Sequence, residues 1–211
     1  MDDILFAKII FPDLNKEKST YEIMKIDKSY WFWDPYRATN MLSLMTKNPV
    51  PGPFGTKNNL QGEFQWLAYT PPVIIDWFET YVFPWMGTKT RIMALLTNQK
   101  SKNLEHVDCD KNSIFTKQHK FRIVLKGKTE TLYFKTDKHD VYVPNITSPF
   151  LMDGSWPHGM NNFDDDYKLT IAAGAPWVGN DSYTNIEILM KRSEFVFPED
   201  YKIYFKKEFS T

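Results

Sequence analysis

From residue 89 onward the chain reads as short strands, one of them clearly alternating, broken by Gly, Pro, Asn and Asp. This pattern constrains the fold more than any other feature. Lys120–Lys126 (KFRIVLK) puts Phe121, Ile123 and Leu125 on one face of a strand. Gly127 then sits in a turn and Thr129–Thr136 returns. Thr90–Leu96, Asp140–Val143, Pro149–Met152, Tyr167–Ala173, Asn185–Met190 and Tyr201–Phe205 read as further strands. Many short strands at close spacing predict a mainly β protein, a sandwich or jelly roll.

The 211 residues are long for one average domain and short for two. We therefore expect a single domain, 1–211, with a barrel core over 89–206. Residues 1–88 read as a helical and irregular N-terminal extension packing on it. Pro71-Pro72 opens a helix over about 72–83, with Ile74, Trp77, Phe78 and Tyr81 on one stripe and Pro84 closing the run. Residues 47–62, with three prolines and three glycines, read as a loop that serves as lid, rim or plain connector.

Lys plus Arg equals Asp plus Glu at 26 each, so no basic field for general nucleic-acid binding is expected. No apolar run is long enough to span a membrane. The single Cys and the acidic start of the chain lead to the expectation of a cytoplasmic protein.

Against this frame one constellation carries chemistry. His106 and Asp108 are two apart, so on an extended segment both side chains point the same way. His158 follows fifty residues after Asp108, far enough for the chain to return across the barrel. Two imidazoles and one carboxylate make the open facial site of non-haem Fe(II). Lys168 lies ten residues beyond His158, on one strand face with Thr170 and Ala172 and opposite Leu169 and Ile171. A buried ammonium there needs an acid partner. The far carboxylate of 2-oxoglutarate, shared with the Thr170 hydroxyl, would supply it. Arg122 lies on the face opposite Phe121 and Ile123, and would meet the nearer carboxylate of 2-oxoglutarate, a substrate carboxylate, or a surface acid. Trp156 reads as a pocket wall or a barrel plug. Asp153 and Ser155 read as partners that orient His158, or as turn residues. Asp164-Asp165-Asp166 lacks the Gly and Glu of a calcium loop and reads as a solvated turn.

The segment FRIVL, followed by FLMDGSWPHGMNNFDDDYKLTIAAGAPW, resembles the core of the aspartyl/asparaginyl β-hydroxylase family of 2-oxoglutarate- and Fe(II)-dependent oxygenases. The residues that match are Arg122, Asp153, His158, Asn161 or Asn162, and Lys168, where this family usually has Arg and related oxygenases have Lys. The resemblance covers residues 104–177. It implies a double-stranded β-helix, Fe(II) held by His106, Asp108 and His158, 2-oxoglutarate, O₂, and succinate and CO₂ as by-products. The substrate would be an amino acid, a protein side chain or a similar small metabolite, with Asn161 near it. The aromatic, Lys- and Asn-rich style also resembles phage proteins. Two other readings stay open: a non-catalytic jelly-roll binding module, and a cupin metalloenzyme that does not use 2-oxoglutarate.

Overall fold

The computed structural model describes residues 6–9, 11–35, 37–47, 63–86, 89–108, 119–135, 140–144, 149–154, 156–174 and 193–194. Thirteen strands are present among them: β1 (Phe6–Ile9), β2 (Phe32–Asp34), β3 (Thr39–Thr46), β4 (Gln65–Trp66), β5 (Ile92–Thr97), β6 (Ser101–Lys102), β7 (His119–Lys126), β8 (Leu132–Lys135), β9 (Asp140–Tyr142), β10 (Phe150–Asp153), β11 (His158–Asn162), β12 (Lys168–Gly174) and β13 (Ser193–Glu194). Helices α1 (Lys16–Met24), α2 (Pro72–Trp77) and α3 (Phe83–Met86) complete the set. The strands form two antiparallel sheets. The larger runs β13-β1-β10-β7-β12-β5-β3-β2, with β4 on β3, and the smaller runs β6-β11-β8-β9. This is the mainly β, double-stranded β-helix architecture that the strand pattern and the resemblance predict.

The large sheet is buried on both faces. On one, Phe121, Ile123 and Leu125 of β7, Leu169 and Ile171 of β12 and Ile92, Ala94 and Leu96 of β5 pack on Ile23 of α1 and on Trp77, Phe78, Val82 and Phe83. On the other, Lys120, Arg122 and Val124, Lys168, Thr170 and Ala172, and Met93 and Leu95 line a cavity. Period-two alternation thus turns one apolar half of each strand to the helices and the other half to the site, mostly polar on β7 and β12 and apolar on β5. Leu169 and Ile171 face the helical layer and Lys168, Thr170 and Ala172 face inward, as expected.

Residues 1–88 differ from the extension expected of them, because they supply β1 to β4 to the large sheet as well as α1, α2 and α3. β3 (TNMLSLMT) is buried at nearly every position. A strand covered on both faces has no polar alternation to announce it. The helix also runs past Pro84: a π-helical stretch, Phe78–Val82, joins α2 to α3. Proline has no N–H to give and its ring crowds the carbonyl four residues back, and a wider turn relieves both. The expected strands over 185–190 and 201–205, and the 47–62 loop apart from Lys47, lie outside the described residues.

Candidate metal centre

The two histidines meet through their backbones. His106 and His158 form an isolated antiparallel bridge, each N–H donating to the other's carbonyl at 3.0 Å. Asp108 N–H donates to Gly154 O at 2.9 Å, which fixes the third residue against the same edge. The rings of His106 and His158 lie 4.5 Å apart between centroids. One ligand atom from each of His106, Asp108 and His158 falls within 4.8 Å of the other two. Asp108 Oδ1 is 3.6 Å from His106 Nε2 and Oδ2 is 3.3 Å from His158 Nε2.

Both imidazoles are oriented by main-chain carbonyls. His106 Nδ1 lies 2.9 Å from Leu104 O, and His158 Nδ1 lies 2.8 Å from Trp156 O. A carbonyl only accepts, so Nδ1 carries a proton, and Nε2 is the ring nitrogen turned toward Asp108 and able to bind a metal once it carries no proton. Burial pushes His106 below the ordinary histidine value, against the pull of the Leu104 carbonyl, and His158 pushes it down further. Burial alone would raise the Asp108 carboxyl. Its hydrogen bond with His158 and the Lys120 ammonium outweigh that and hold it well below the usual carboxylate range. Two imidazole nitrogens and a carboxylate oxygen on one side of a cavity are the donor set of a facial Fe(II) site, and the residues fit that metal.

Two cations that the sequence reading passed over reinforce Asp108. Lys120 Nζ is 2.5 Å from Oδ2, and Arg37 Nη2 is 3.5 Å from Oδ1 while its Nη1 holds Asp34 at 2.8 Å. Lys120 was legible, since it shares a strand face with Arg122 and Val124. Arg37 sits in a turn before β3 and no local pattern points to it.

The centre opens into a cavity of about 210 Å³. Lys168 is 3% exposed there, and its ammonium donates to the Thr131 hydroxyl, which in turn donates to Lys128 O at 3.0 Å. Burial pushes Lys168 down to about 7, with Arg122 acting in the same direction. Among the described residues no carboxylate pairs with it. Gly127, at φ +90, turns directly against its stem: a Cβ there would stand 3.1 Å from Lys168 Cβ and Cγ. Thr170 lines the same cavity. So does Arg122, which burial pushes down to about 10, Asp108 pulling up and Arg37 and Arg91 pushing down.

Other sequence candidates stand elsewhere. Trp156 packs on the small apolar cluster of Val124, Phe134, Val141, Val143, Phe150 and Met152, and contributes its carbonyl to His158. Asn161 is buried outside the cavity lining, with Nδ2 3.4 Å from Tyr142 OH. Asn162 holds the carbonyls of Asn98 and Asp166, both at 2.9 Å. Asp153 ends β10, and Ser155 lies outside the described residues. Asp164, Asp165 and Asp166 pair with Lys128, Lys100 and Lys126, as a solvated turn would.

The fold and the donor set together define the class: a double-stranded β-helix with a His-x-Asp…His centre. No family model and no curated sequence matches the chain. Solved structures do. A 2OG-Fe(II) oxygenase family oxidoreductase from Burkholderia pseudomallei superposes with a TM-score of 0.50 at 10% identity, covering 82% of each chain. The viral collagen prolyl hydroxylase of Paramecium bursaria Chlorella virus-1, in its 2OG complex, gives 0.50 at 13% identity, over 82% of this chain and 96% of that one. A Pseudomonas putida prolyl-4-hydroxylase gives 0.50 at 10% identity, over 80% of this chain and 88% of that one.

Proposed function

We propose that this chain is a 2-oxoglutarate- and Fe(II)-dependent dioxygenase that hydroxylates an amino acid, a protein side chain or a similar small metabolite with O₂, releasing succinate and CO₂. The observation that carries the reading is the convergence of His106 Nε2, Asp108 and His158 Nε2 at a cavity that also holds the buried Lys168 ammonium. The oxygenase and prolyl hydroxylase neighbours support it. Bound Fe(II) supplies the redox chemistry; the protein binds, orients and excludes water.

Each residue then has one task. His106 and His158 give Nε2 to the metal, while the carbonyls of Leu104 and Trp156 keep the protons on Nδ1. Asp108 gives a carboxylate oxygen, kept ionised by Lys120 and Arg37. Lys168 and Thr170 take the far carboxylate of 2-oxoglutarate, and Thr131 aims the ammonium. Met93, Leu95, Val124 and Met160 give the cavity an apolar wall that keeps water out. The whole chain acts as one catalytic unit in this reading.

Within the class, the order Arg122, Asp153, His158, Asn161, Lys168 supports an aspartyl/asparaginyl β-hydroxylase-like member, and the composition a phage-encoded one working in a host cytoplasm. Iron-dependent conversion of 2-oxoglutarate to succinate tests the function. Anaerobic Fe(II) protein should develop a visible absorption band when 2-oxoglutarate is added. Absence of both the band and succinate would remove the proposal.

A further inference from the structure

The cavity carries more positive charge than a metal and its co-substrate use. Arg37, Arg91, Lys120, Arg122 and Lys168 line it, against the single lining carboxylate of Asp108. Arg37 is matched by Asp34 and Asp108, and Lys120 by Asp108. Fe(II) and the 2-oxoglutarate dianion cancel one another in formal charge, which leaves the excess of cations unchanged, and Lys168 is the one assigned to the co-substrate. Arg91 and Arg122 are then in excess. Among the described residues neither forms an ion pair, and the guanidinium of Arg122 reaches only the carbonyl of its neighbour Phe121, at 3.3 Å.

The two stand on opposite sides of β12. Arg122 pairs with Ala172 on the β7 side, and on the β5 side the Arg91 carbonyl accepts from Gly174 N–H at 3.1 Å. The wall between them is therefore built from Ala172 and Gly174, two small residues that both line the cavity. A methyl added at Gly174 would meet no described atom within 4 Å. A guanidinium has five donors in a fixed fork, and at the partly buried Arg122 leaving such donors unmatched is costly, while Arg91 stands at the exposed rim beside it. Two unspent forks beside open space suit a carboxylate or phosphate, each of which accepts paired N–H bonds.

We infer that the substrate is a small acid, held by a carboxylate or phosphate between Arg91 and Arg122, rather than a neutral residue within a peptide. The use of this anion site rests on the dioxygenase reading; its existence does not.

The test is calorimetry on protein loaded with Mn(II) and 2-oxoglutarate, and in parallel on unloaded protein. The probes are the N-acetyl amino acids, the matching carboxamides and inorganic phosphate. In the loaded protein the best acid should bind at least about tenfold tighter than its amide, the worth of one charge-assisted hydrogen bond. Arg91→Gln, at an exposed rim position, should erase that preference and leave 2-oxoglutarate affinity unchanged. Arg122→Gln should also erase that preference, its fold checked by circular dichroism, with no constancy of 2-oxoglutarate affinity expected because Arg122 also acts on Lys168. Phosphate binding that exceeds every acid, and that falls with Arg91→Gln, assigns the site to phosphorylated substrates. Amides that bind as well as acids, or an acid preference that survives both substitutions, would overturn the inference. Loss of Mn(II) and 2-oxoglutarate binding, with an Arg91-dependent acid preference kept in unloaded protein, would sink the dioxygenase reading and leave the anion site standing.

Discussion

His106 and His158 exchange both of their main-chain hydrogen bonds, 3.0 Å in each direction, so the two imidazoles are positioned by strand pairing rather than by side-chain packing alone. The carbonyls two residues before each ring then fix its rotation. A centre built this way is preformed, and metal binding should require little rearrangement.

Replacing a ligand should remove the metal and leave the fold. For His158→Ala we expect Fe(II) or Co(II) affinity to fall by more than about 100-fold, beyond the usual loss for a supporting residue. Calorimetry with Co(II), paired with thermal unfolding, checks this. Unchanged Co(II) affinity would contradict the assignment.

Asp108→Asn should cost both metal and stability. The carboxylate is 5% exposed on its side chain and faces Lys120, Arg37 and two histidines. Removing its charge leaves cations facing one another in a partly buried site, at a cost of about 3 kcal/mol. Urea denaturation of metal-free protein measures it, and Asp108→Asn together with Lys120→Met should recover part of the loss.

The affinity for 2-oxoglutarate should depend on pH through Lys168. Its ammonium is held down at about 7 by burial and Arg122 in the ligand-free protein. A carboxylate binds the protonated form and raises that value, so binding takes up a proton above pH 7. The dissociation constant should be flat below about pH 7 and rise about tenfold per unit above it. Lys168→Met should weaken binding and abolish the slope, and Thr131→Val should weaken it less. A dissociation constant that is level from pH 6 to 9 would exclude Lys168 as the anchor.

Leu169 and Thr170 are neighbours on β12 that face opposite ways, and they should separate stability from binding. Leu169 is fully buried against the helical layer. Leu169→Ala should destabilise by about 2–5 kcal/mol. Thr170→Val should leave unfolding nearly unchanged and weaken 2-oxoglutarate. A stability loss larger for Thr170→Val would reverse the two faces.

Gly159 follows the second histidine and has no room for a side chain. A Cβ there would stand 2.6 Å from the Tyr133 hydroxyl and 2.8 Å from its ring carbon. Gly159→Ala should cost about 1–3 kcal/mol and shift β11, lowering metal affinity at the adjacent His158. Tyr133→Phe in the same chain should restore part of it, since the closest atom is then gone.

Much of the core was legible because β7 and the first half of β12 alternate, Phe121, Ile123 and Leu125 against Lys120 and Arg122, and Leu169 and Ile171 against Lys168 and Thr170. The same alternation showed that Lys168, Thr170 and Arg122 face away from the helices. β11 (HGMNN) escaped notice because Gly and Asn are poor strand formers; its pairing with β8 and β6 and the hydrogen bonds of Asn162 override that propensity. β3 escaped because it is apolar on both faces, and Arg37 because only tertiary folding brings a turn near residue 37 to Asp108. His106, Asp108 and His158 could be paired from their order alone, whereas the bridge between the two histidines is a property of the folded sheets.

The two-faced large sheet also sets what this protein tolerates. A single residue inserted or deleted within β7 or β12 would rotate every later side chain of that strand by half a turn. Phe121 or Leu169 would then fill the reaction chamber while Arg122 or Lys168 entered the oily layer beneath the helices. Point substitutions leave this chain many routes to altered specificity, but its central strands cannot change length without losing chemistry and stability in the same step.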